Sequence, residues 1–196
     1  LYPRVTKEGA LVNDEQMVGA TEHLARKSRI LCLAGTISGS DDVCIGLLAL
    51  ESLSHDPIKI IISSPGGGLD ATFLIYDTIR LIQSPVYTLG KFCASAAALL
   101  LAAGKKRYLM PHAKTMLHLP WGQAIGDSRD WEIQQREMQK YKKAVVDLLI
   151  ECGVKKTKEQ ILGDIDRDFW LEPREAIEYG LADKIMTPSI LKGWLK

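Results

Sequence analysis

Short apolar runs and longer amphipathic stretches alternate along most of the chain. Runs of strand length occur at 29–34, 58–62, 86–89, 107–110, 115–117, 169–171 and 182–186. Stretches with apolar residues at helical spacing, or with helix-capping residues, occur at 15–26, 38–54, 69–83, 95–103, 129–152, from 157 onward and at 173–179. This alternation of strand and helix predicts right-handed parallel crossovers and therefore an α/β fold.

Two features of the stretch from Ile60 to Gly104 are typical of a site where the protein backbone comes close to a small chemical group. The triplet Gly66–Gly68 follows a predicted strand, and Ser95 is the single polar residue at the start of an apolar helix. The first turn of a helix offers free backbone donors, among them the N–H of Ala96. A serine nucleophile with a backbone oxyanion hole requires these two features. The alternative is a helix serine bonded to its own backbone, which is common.

A serine nucleophile also needs an imidazole base that a third group orients. His118 follows the predicted strand at 115–117, so it lies at a strand end; a buried structural histidine is the alternative interpretation. The other histidines lack this context and are predicted in loops or on the surface: His23, His55 and His112. An orienting acid is available between 164 and 168, where spacing alone does not choose among Asp164, Asp166 and Asp168.

Composition narrows the range of partners. The chain has 196 residues, 46% of them hydrophobic, which is enough for one globular domain with a sizeable core. Its 25 basic and 24 acidic residues give a net charge of +1, which provides no electrostatic reason to expect nucleic acid or an anionic membrane as a partner. The longest apolar run, around Ser95, covers about ten residues, short of the ~20 that span a bilayer.

The four cysteines are widely spaced within apolar segments, at Cys32, Cys44, Cys93 and Cys152. Because they form no C-x-x-C pair and lie far from any histidine cluster, we expect reduced core thiols and neither a metal site nor a cofactor. The first residues lack the apolar region of a signal peptide. We therefore expect a soluble protein in the cytoplasm, or in an organelle matrix or stroma if a targeting segment has been removed.

Several linked motifs resemble those of the ClpP proteolytic subunits, the S14 serine peptidases. In chain order the motifs are Ser64-Pro65-Gly66-Gly67, Tyr76-Asp77-Thr78-Ile79, Ala94-Ser95, Met116-Leu117-His118-Leu119-Pro120, Asp166-Arg167-Asp168 and Glu175-Ala176-Ile177-Glu178-Tyr179-Gly180-Leu181. The resemblance covers about 29–186. It implies that Ser95 is the nucleophile, His118 the general base and Asp168 the orienting acid. It also implies an oxyanion hole formed by the backbone N–H groups of Gly67 and Ala96.

The resemblance further implies an architecture and a function. Members have a crotonase-like α/β fold and stack two seven-membered rings through a protruding helix-and-strand handle, so that the active sites face a closed chamber. The implied parts of this chain are an N-terminal arm at 1–28, a head at 29–120, a handle at 121–152 and the rest of the head at 153–196. Asp166 and Arg167 would contact the opposite ring. The expected function is ATP-independent serine endopeptidase activity on unfolded proteins delivered by an AAA+ unfoldase.

The chain departs from the usual family pattern in places. The nucleophile stretch reads Lys91-Phe92-Cys93-Ala94-Ser95-Ala96-Ala97 where Gly-Gln-Ala-Ala-Ser-Met-Gly is usual, and the handle reads Gly126-Asp127-Ser128-Arg129-Asp130 where Gly-Gln-Ala-Thr-Asp is usual. Lys59 and Ile61 replace tyrosines of the apical pocket that receives the unfoldase. Two alternatives therefore stay open: a mainly structural subunit of a ring shared with a paralogue, and an acyl-CoA enzyme of the same fold.

Overall fold

A computed structural model describes residues 22–38 and 41–195. Helix α1 is described over 22–28. The strands are β1 (Ile30–Ala34), β2 (Ile58–Ser64), β3 (Val86–Ala94), β4 (Lys106–Leu117), β5 (Phe169–Leu171) and β6 (Lys184–Ile185). The other helices are α2 (Asp41–Leu53), α3 (Leu69–Leu81), α4 (Ala96–Ala102), α5 (Ser128–Glu151), α6 (Lys158–Asp164), α7 (Pro173–Tyr179) and α8 (Pro188–Trp194).

One sheet organises the described residues. Strands β1 to β4 lie side by side in chain order and all pairs are parallel, which confirms the predicted crossovers. Strand β5 pairs with the end of β4 in the antiparallel direction, and β6 pairs in parallel with its beginning. The strand at 169–171 was predicted, but its antiparallel direction was not, because a run of three residues carries no information on direction.

Strand β4 is continuous, so the prediction of two strands separated by a loop at 111–114 is wrong. Its register with β3 shifts between Gly90 and Phe92, which pair with Leu109 and Lys114. Pro111 therefore lies where β4 has no partner residue in β3, a position that tolerates a residue without an N–H donor. Strand β3 likewise continues beyond the predicted end at 89 and delivers the chain to Ser95.

Helix α4 lies at the centre of the core. All seven of its residues are buried, as the uniformly small and aliphatic sequence predicts. It packs against β3 and β4 on one side and against α3 and α5 on the other. A helix buried on every side holds its first residue in a fixed place relative to the ends of both strands.

Buried Arg29 joins β1 to the C-terminal end of α2. The guanidinium donates from Nη1 to the carbonyl of Leu50 at 3.0 Å, and from Nη2 to those of Ser54 and Asp56 at 3.0 Å each. Helix α2 has no basic residue in its own last turn. Arg29 therefore provides the cation that the negative end of that helix dipole favours.

Other predictions need correction. Cys32 was predicted in the core but is exposed, because it points outward from edge strand β1. Helix α8 was not predicted, and most of the helix predicted at 15–26 lies outside the described residues. In the predicted handle, residues 128–137 of α5 are exposed, but the described residues 121–127 form no strand, because no other strand pairs with them. No helix in 22–38 or 41–195 is long and apolar enough to span a membrane.

Candidate active site

Ser95 occupies a sharp turn between β3 and α4. It was predicted as the first helical residue, but it is the residue before the helix, with φ of 55° and ψ of −126°. A positive φ is costly for a residue with a side chain and is found where a site requires it. The N–H of Ser95 donates to the carbonyl of Met116 at 2.8 Å, and its hydroxyl makes no helix-capping bond. The side chain is therefore available for another partner.

That partner is the imidazole of His118. Its Nε2 lies 2.7 Å from the Ser95 hydroxyl oxygen. Strand pairing sets this distance, because Met116 is in register with Ala94 and His118 comes directly after the end of β4. The N–H of Leu119 donates to the carbonyl of Ile165 at 2.9 Å and fixes the chain on the far side of the histidine. The remaining histidines are exposed: His23, His55 and His112.

The three acids of the 164–168 segment lie in different surroundings. Asp168 is exposed and lies in the wall of the same cavity as Ser95 and His118, although no hydrogen bond joins its carboxylate to the imidazole in the described part of the chain. Asp166 is exposed beside Arg167. Asp164 is half-buried, and its Oδ2 has no partner. Its place in the cavity wall therefore distinguishes Asp168 from Asp164 and Asp166, which spacing in the sequence could not do.

The glycine triplet is held beside Ser95 by the backbone of Ile37. The N–H of Ile37 donates to the Gly66 carbonyl at 2.8 Å, and the N–H of Gly68 donates to the Ile37 carbonyl at 2.7 Å. This pairing leaves the N–H of Gly67 without a described protein acceptor, and the same is true of the N–H of Ala96 at the start of α4. The residues that carry these two unpaired donors line the same cavity as Ser95. The contribution of Ile37 was missed because no local pattern marks it.

Two glycines of the triplet are required by this close packing. At Gly66, with φ of 96°, a Cβ atom would lie 2.7 Å from the Ala94 carbonyl oxygen and 2.8 Å from the Cβ of Ser95. At Gly67, with φ of 155°, it would lie 2.1 Å from the carbonyl oxygen of Ile37. Both positions combine a left-handed backbone with contacts that no side chain tolerates.

A cavity of about 730 Å³ opens beside Ser95. Its lining includes the glycine loop, the first turns of α3 and α4, the ends of β3 and β4, and one face of α5. The residues are Thr36, Pro65, Gly66, Gly67, Gly68, Leu69, Asp70, Ser95, Ala96, Leu99, Met116, Leu117, His118, Pro120, Trp121, Met138, Tyr141, Val145 and Asp168. Met138, Tyr141 and Val145 line the cavity from α5, a role that the predicted helical periodicity at 129–152 did not reveal.

Cys93, two residues before Ser95, does not compete as a nucleophile. It is fully buried, and burial raises the pKa of its thiol to about 12. A thiol at this pKa carries almost no thiolate near neutral pH. Elsewhere in 22–38 and 41–195, no group of three or more His, Cys, Asp or Glu side chains is arranged to hold a metal ion.

A serine on a strained strand-to-helix turn, an imidazole within hydrogen-bond distance and two unpaired backbone N–H groups form the layout of a serine hydrolase. On this α/β fold, comparison with known proteins specifies the family. The family model for Clp protease matches residues 13–189. The chain therefore belongs to the Clp protease family, and it is a ClpP-type serine peptidase subunit. The predicted family and fold are confirmed.

The names of individual relatives agree with this family assignment. The chain is 38% identical over 170 residues to ATP-dependent Clp protease proteolytic subunit 1 of Rhodopirellula baltica, covering 83% of this chain and 74% of the relative. It is 41% identical over 170 residues to proteolytic subunit 2 of Chlamydia trachomatis, covering 82% of each. The chloroplastic proteolytic subunit 4 of Arabidopsis thaliana is 38% identical over 189 residues, 92% of this chain and 63% of the relative. These names favour neither the structural-subunit nor the acyl-CoA alternative.

Proposed function

We propose that the chain hydrolyses peptide bonds with Ser95 as nucleophile, His118 as general base and Asp168 as the orienting acid. The observation that carries the proposal is the 2.7 Å distance between His118 Nε2 and the Ser95 hydroxyl oxygen. When the hydroxyl oxygen forms a bond to the peptide carbonyl carbon, its proton passes to Nε2. His118 then returns that proton to the leaving amine as the C–N bond breaks. Water hydrolyses the resulting acyl ester by the same route.

The negative charge on the carbonyl oxygen during attack needs donors that are already in place. We assign this role to the N–H groups of Gly67 and Ala96, whose residues line the cavity beside Ser95 and whose N–H groups lack a described acceptor. One such donor typically contributes about 3 kcal/mol to transition-state stabilisation. Asp168 would accept from Nδ1–H of His118, holding the tautomer in which Nε2 can take the serine proton.

The substrates we propose are unfolded proteins delivered by an AAA+ unfoldase. The relatives carry the description ATP-dependent, which supports a Clp ATPase as the partner. We place its docking surface around Lys59 and Ile61 on β2. The ammonium of Lys59 donates to the carbonyl of Ser28 at 2.7 Å, whereas Ile61, like Tyr87 and Tyr108, packs against a small buried cluster that contains Leu89 and Trp194. This surface is therefore apolar and partly aromatic, with the lysine at its margin.

We further propose two stacked seven-membered rings, homomeric or shared with a paralogue, joined through the handle at 121–152. Asp166 and Arg167 would form the contact between rings. Their side chains are 64% and 92% exposed, and Arg167 contacts only Asp166 among described charged groups, at 3.7 Å. Both are therefore free to pair with another subunit. We place the protein in the cytoplasm, or in an organelle matrix or stroma.

Substitution of Ser95 by alanine tests the proposal. Purified Ser95→Ala protein should lose fluorophosphonate labelling and hydrolysis of short fluorogenic peptides, while its mass by sedimentation stays that of the parent assembly. Ser52→Ala is the matched control, because Ser52 is exposed on α2 and its hydroxyl bonds only to the carbonyl of Ala49. Undiminished turnover or labelling in Ser95→Ala would overturn the assignment of the nucleophile.

A further inference from the structure

We infer that Asp70 is a specificity-determining residue that favours a lysine or arginine side chain immediately before the scissile bond. This inference rests on the proposed function of Ser95, since it concerns the cavity that opens beside that hydroxyl. The structure juxtaposes a carboxylate, held by a tyrosine from another helix, with an otherwise largely apolar cavity wall. A long side chain with an aliphatic stem and a cationic end complements both surfaces.

Carboxylates are present in the described cavity wall without lysine or arginine side chains to balance their negative charge. Among the described residues that line the cavity, the carboxylates are Asp70 and Asp168, and no lysine or arginine is present. Asp168 lies beside His118, at the end where the chemistry is proposed. Asp70 lies in the first turn of α3, directly after the glycine loop and facing α5. It is therefore the carboxylate available to a substrate side chain rather than to the imidazole.

Tyr141 holds this carboxylate in place. Its hydroxyl donates to Oδ1 of Asp70, and its ring stacks on Phe73 with centroids 6.1 Å apart and an interplanar angle of 15°. The bond to Asp70 raises the pKa of Tyr141, so the phenol remains a donor across the working pH range. Oδ2 of Asp70 has no described protein partner and can accept from a substrate cation. Tyr141 is a positioning residue in this scheme.

The remaining wall suits an aliphatic stem. Leu69, Leu99, Met138 and Val145 contribute apolar surface to the cavity. The methylene groups of lysine or arginine bury against such surface while the charged end reaches a polar partner. A carboxylate beside a guanidinium or ammonium forms charge-assisted hydrogen bonds that a neutral isostere cannot reproduce.

Peptide substrates that differ only in the residue before the scissile bond test the inference. We expect kcat/KM for arginine to exceed that for the neutral isostere citrulline by about tenfold, which corresponds to about 1.4 kcal/mol. Asp70→Asn should bring this ratio close to one, because the amide no longer attracts the cation. Tyr141→Phe should lower the ratio partway. Asp77→Asn, an exposed acid of the same helix, is the matched control and should leave it unchanged.

A binding measurement separates this inference from the proposed chemistry. In Ser95→Ala protein, calorimetry should show that a short peptide ending in arginine binds about tenfold more tightly than one ending in citrulline, and that adding Asp70→Asn removes the difference. Equal binding of the two peptides, or a preference that survives Asp70→Asn, would overturn the role of Asp70. Absence of hydrolysis and labelling in the parent protein together with this preference would overturn the proposed chemistry and leave only the recognition of a cationic side chain by Asp70.

Discussion

Asp168 and His118 are neighbours in the strand register, yet no hydrogen bond joins their side chains. Strands β4 and β5 pair Leu117 with Phe169, so the next position outward sets His118 beside Asp168. The imidazole is already bonded to Ser95, whereas the carboxylate is exposed at the edge of the cavity. The single chain therefore holds a serine–histidine pair and, at the neighbouring position of the sheet, an exposed acid that is not hydrogen-bonded to it in the described residues.

Asp168→Asn should distinguish a site in which the acid is bonded to His118 from one in which it is not. In the assembled protein, we expect the substitution to lower kcat by roughly 10²–10⁴-fold, because the amide cannot stabilise the charged imidazole or hold its tautomer. In dissociated chains, where the acid is not engaged, it should change fluorophosphonate labelling little. Labelling rates measured before and after dissociation, with Asp77→Asn on the exposed face of α3 as control, check this. An equal loss in both states would show that Asp168 is engaged in the single chain.

Gly67→Ala should damage both stability and activity. The added Cβ would lie 2.1 Å from the Ile37 carbonyl oxygen, so the glycine loop must move away from Ile37. We expect a cost of about 2–3 kcal/mol and a loss of labelling, because the N–H of Gly67 would leave the oxyanion position. Gly163→Ala on α6 is the control, because nothing lies within 4 Å of its added Cβ. Thermal melting at fixed protein concentration measures the stability of the two variants, and fluorophosphonate labelling measures their activity. Equal melting of the two variants would contradict the argument.

Arg107→Lys should destabilise the region where β4, α5 and α7 meet. The guanidinium donates to the carbonyls of Cys152 at 2.7 Å and Gly180 at 2.6 Å, and pairs with Asp183 at 2.6 Å. A lysine cannot reach all three acceptors, so we expect a loss of about 2–4 kcal/mol. Thermal melting measures the effect against Arg174→Lys on the exposed face of α7. A change no larger than that of the control would contradict the assigned role.

The pair of Arg107 and Asp183 should also make stability depend on pH. Burial alone would raise the pKa of Asp183, but its hydrogen bonds from Arg107 outweigh burial and lower it. The stabilisation is therefore fully present above the unfolded pKa of about 4 and is lost as pH falls through the lowered folded pKa. The difference in melting temperature between parent protein and Asp183→Asn should be constant above about pH 5 and shrink in acid. A difference that grows in acid would contradict this sign.

The cysteines should react with a thiol reagent in an order set by burial. Cys32 is exposed, whereas Cys93 is fully buried with the pKa of its thiol raised to about 12. Although Cys32 is the exposed cysteine, desolvation by its neighbours raises the pKa of its thiol, so its reaction should become faster as the pH rises above neutral. Ellman's reagent on native protein should give a first phase that Cys32→Ser abolishes. Loss of that phase in Cys93→Ser would contradict the packing of the core.

The sequence pattern predicted most of the elements around the site. Helix α7 has the predicted bounds 173–179, and α6 begins with the predicted capping box of Thr157 and Gln160. These features depend on residues a few positions apart, so local periodicity and capping chemistry suffice. The same is true of the glycine triplet and of Ser95 at the start of an apolar run, which belong to the motifs that carried the family resemblance.

Tertiary structure alone decided what depends on distant partners. Strand pairing made β4 continuous, turned β5 antiparallel and placed Asp168, rather than Asp164 or Asp166, at the cavity. The bond between Asp70 and Tyr141 joins residues 71 positions apart, so no local pattern reveals it. The sequence determined the element types and the kinds of reactive group, because these follow from neighbouring residues. Packing between elements decided which groups share one cavity.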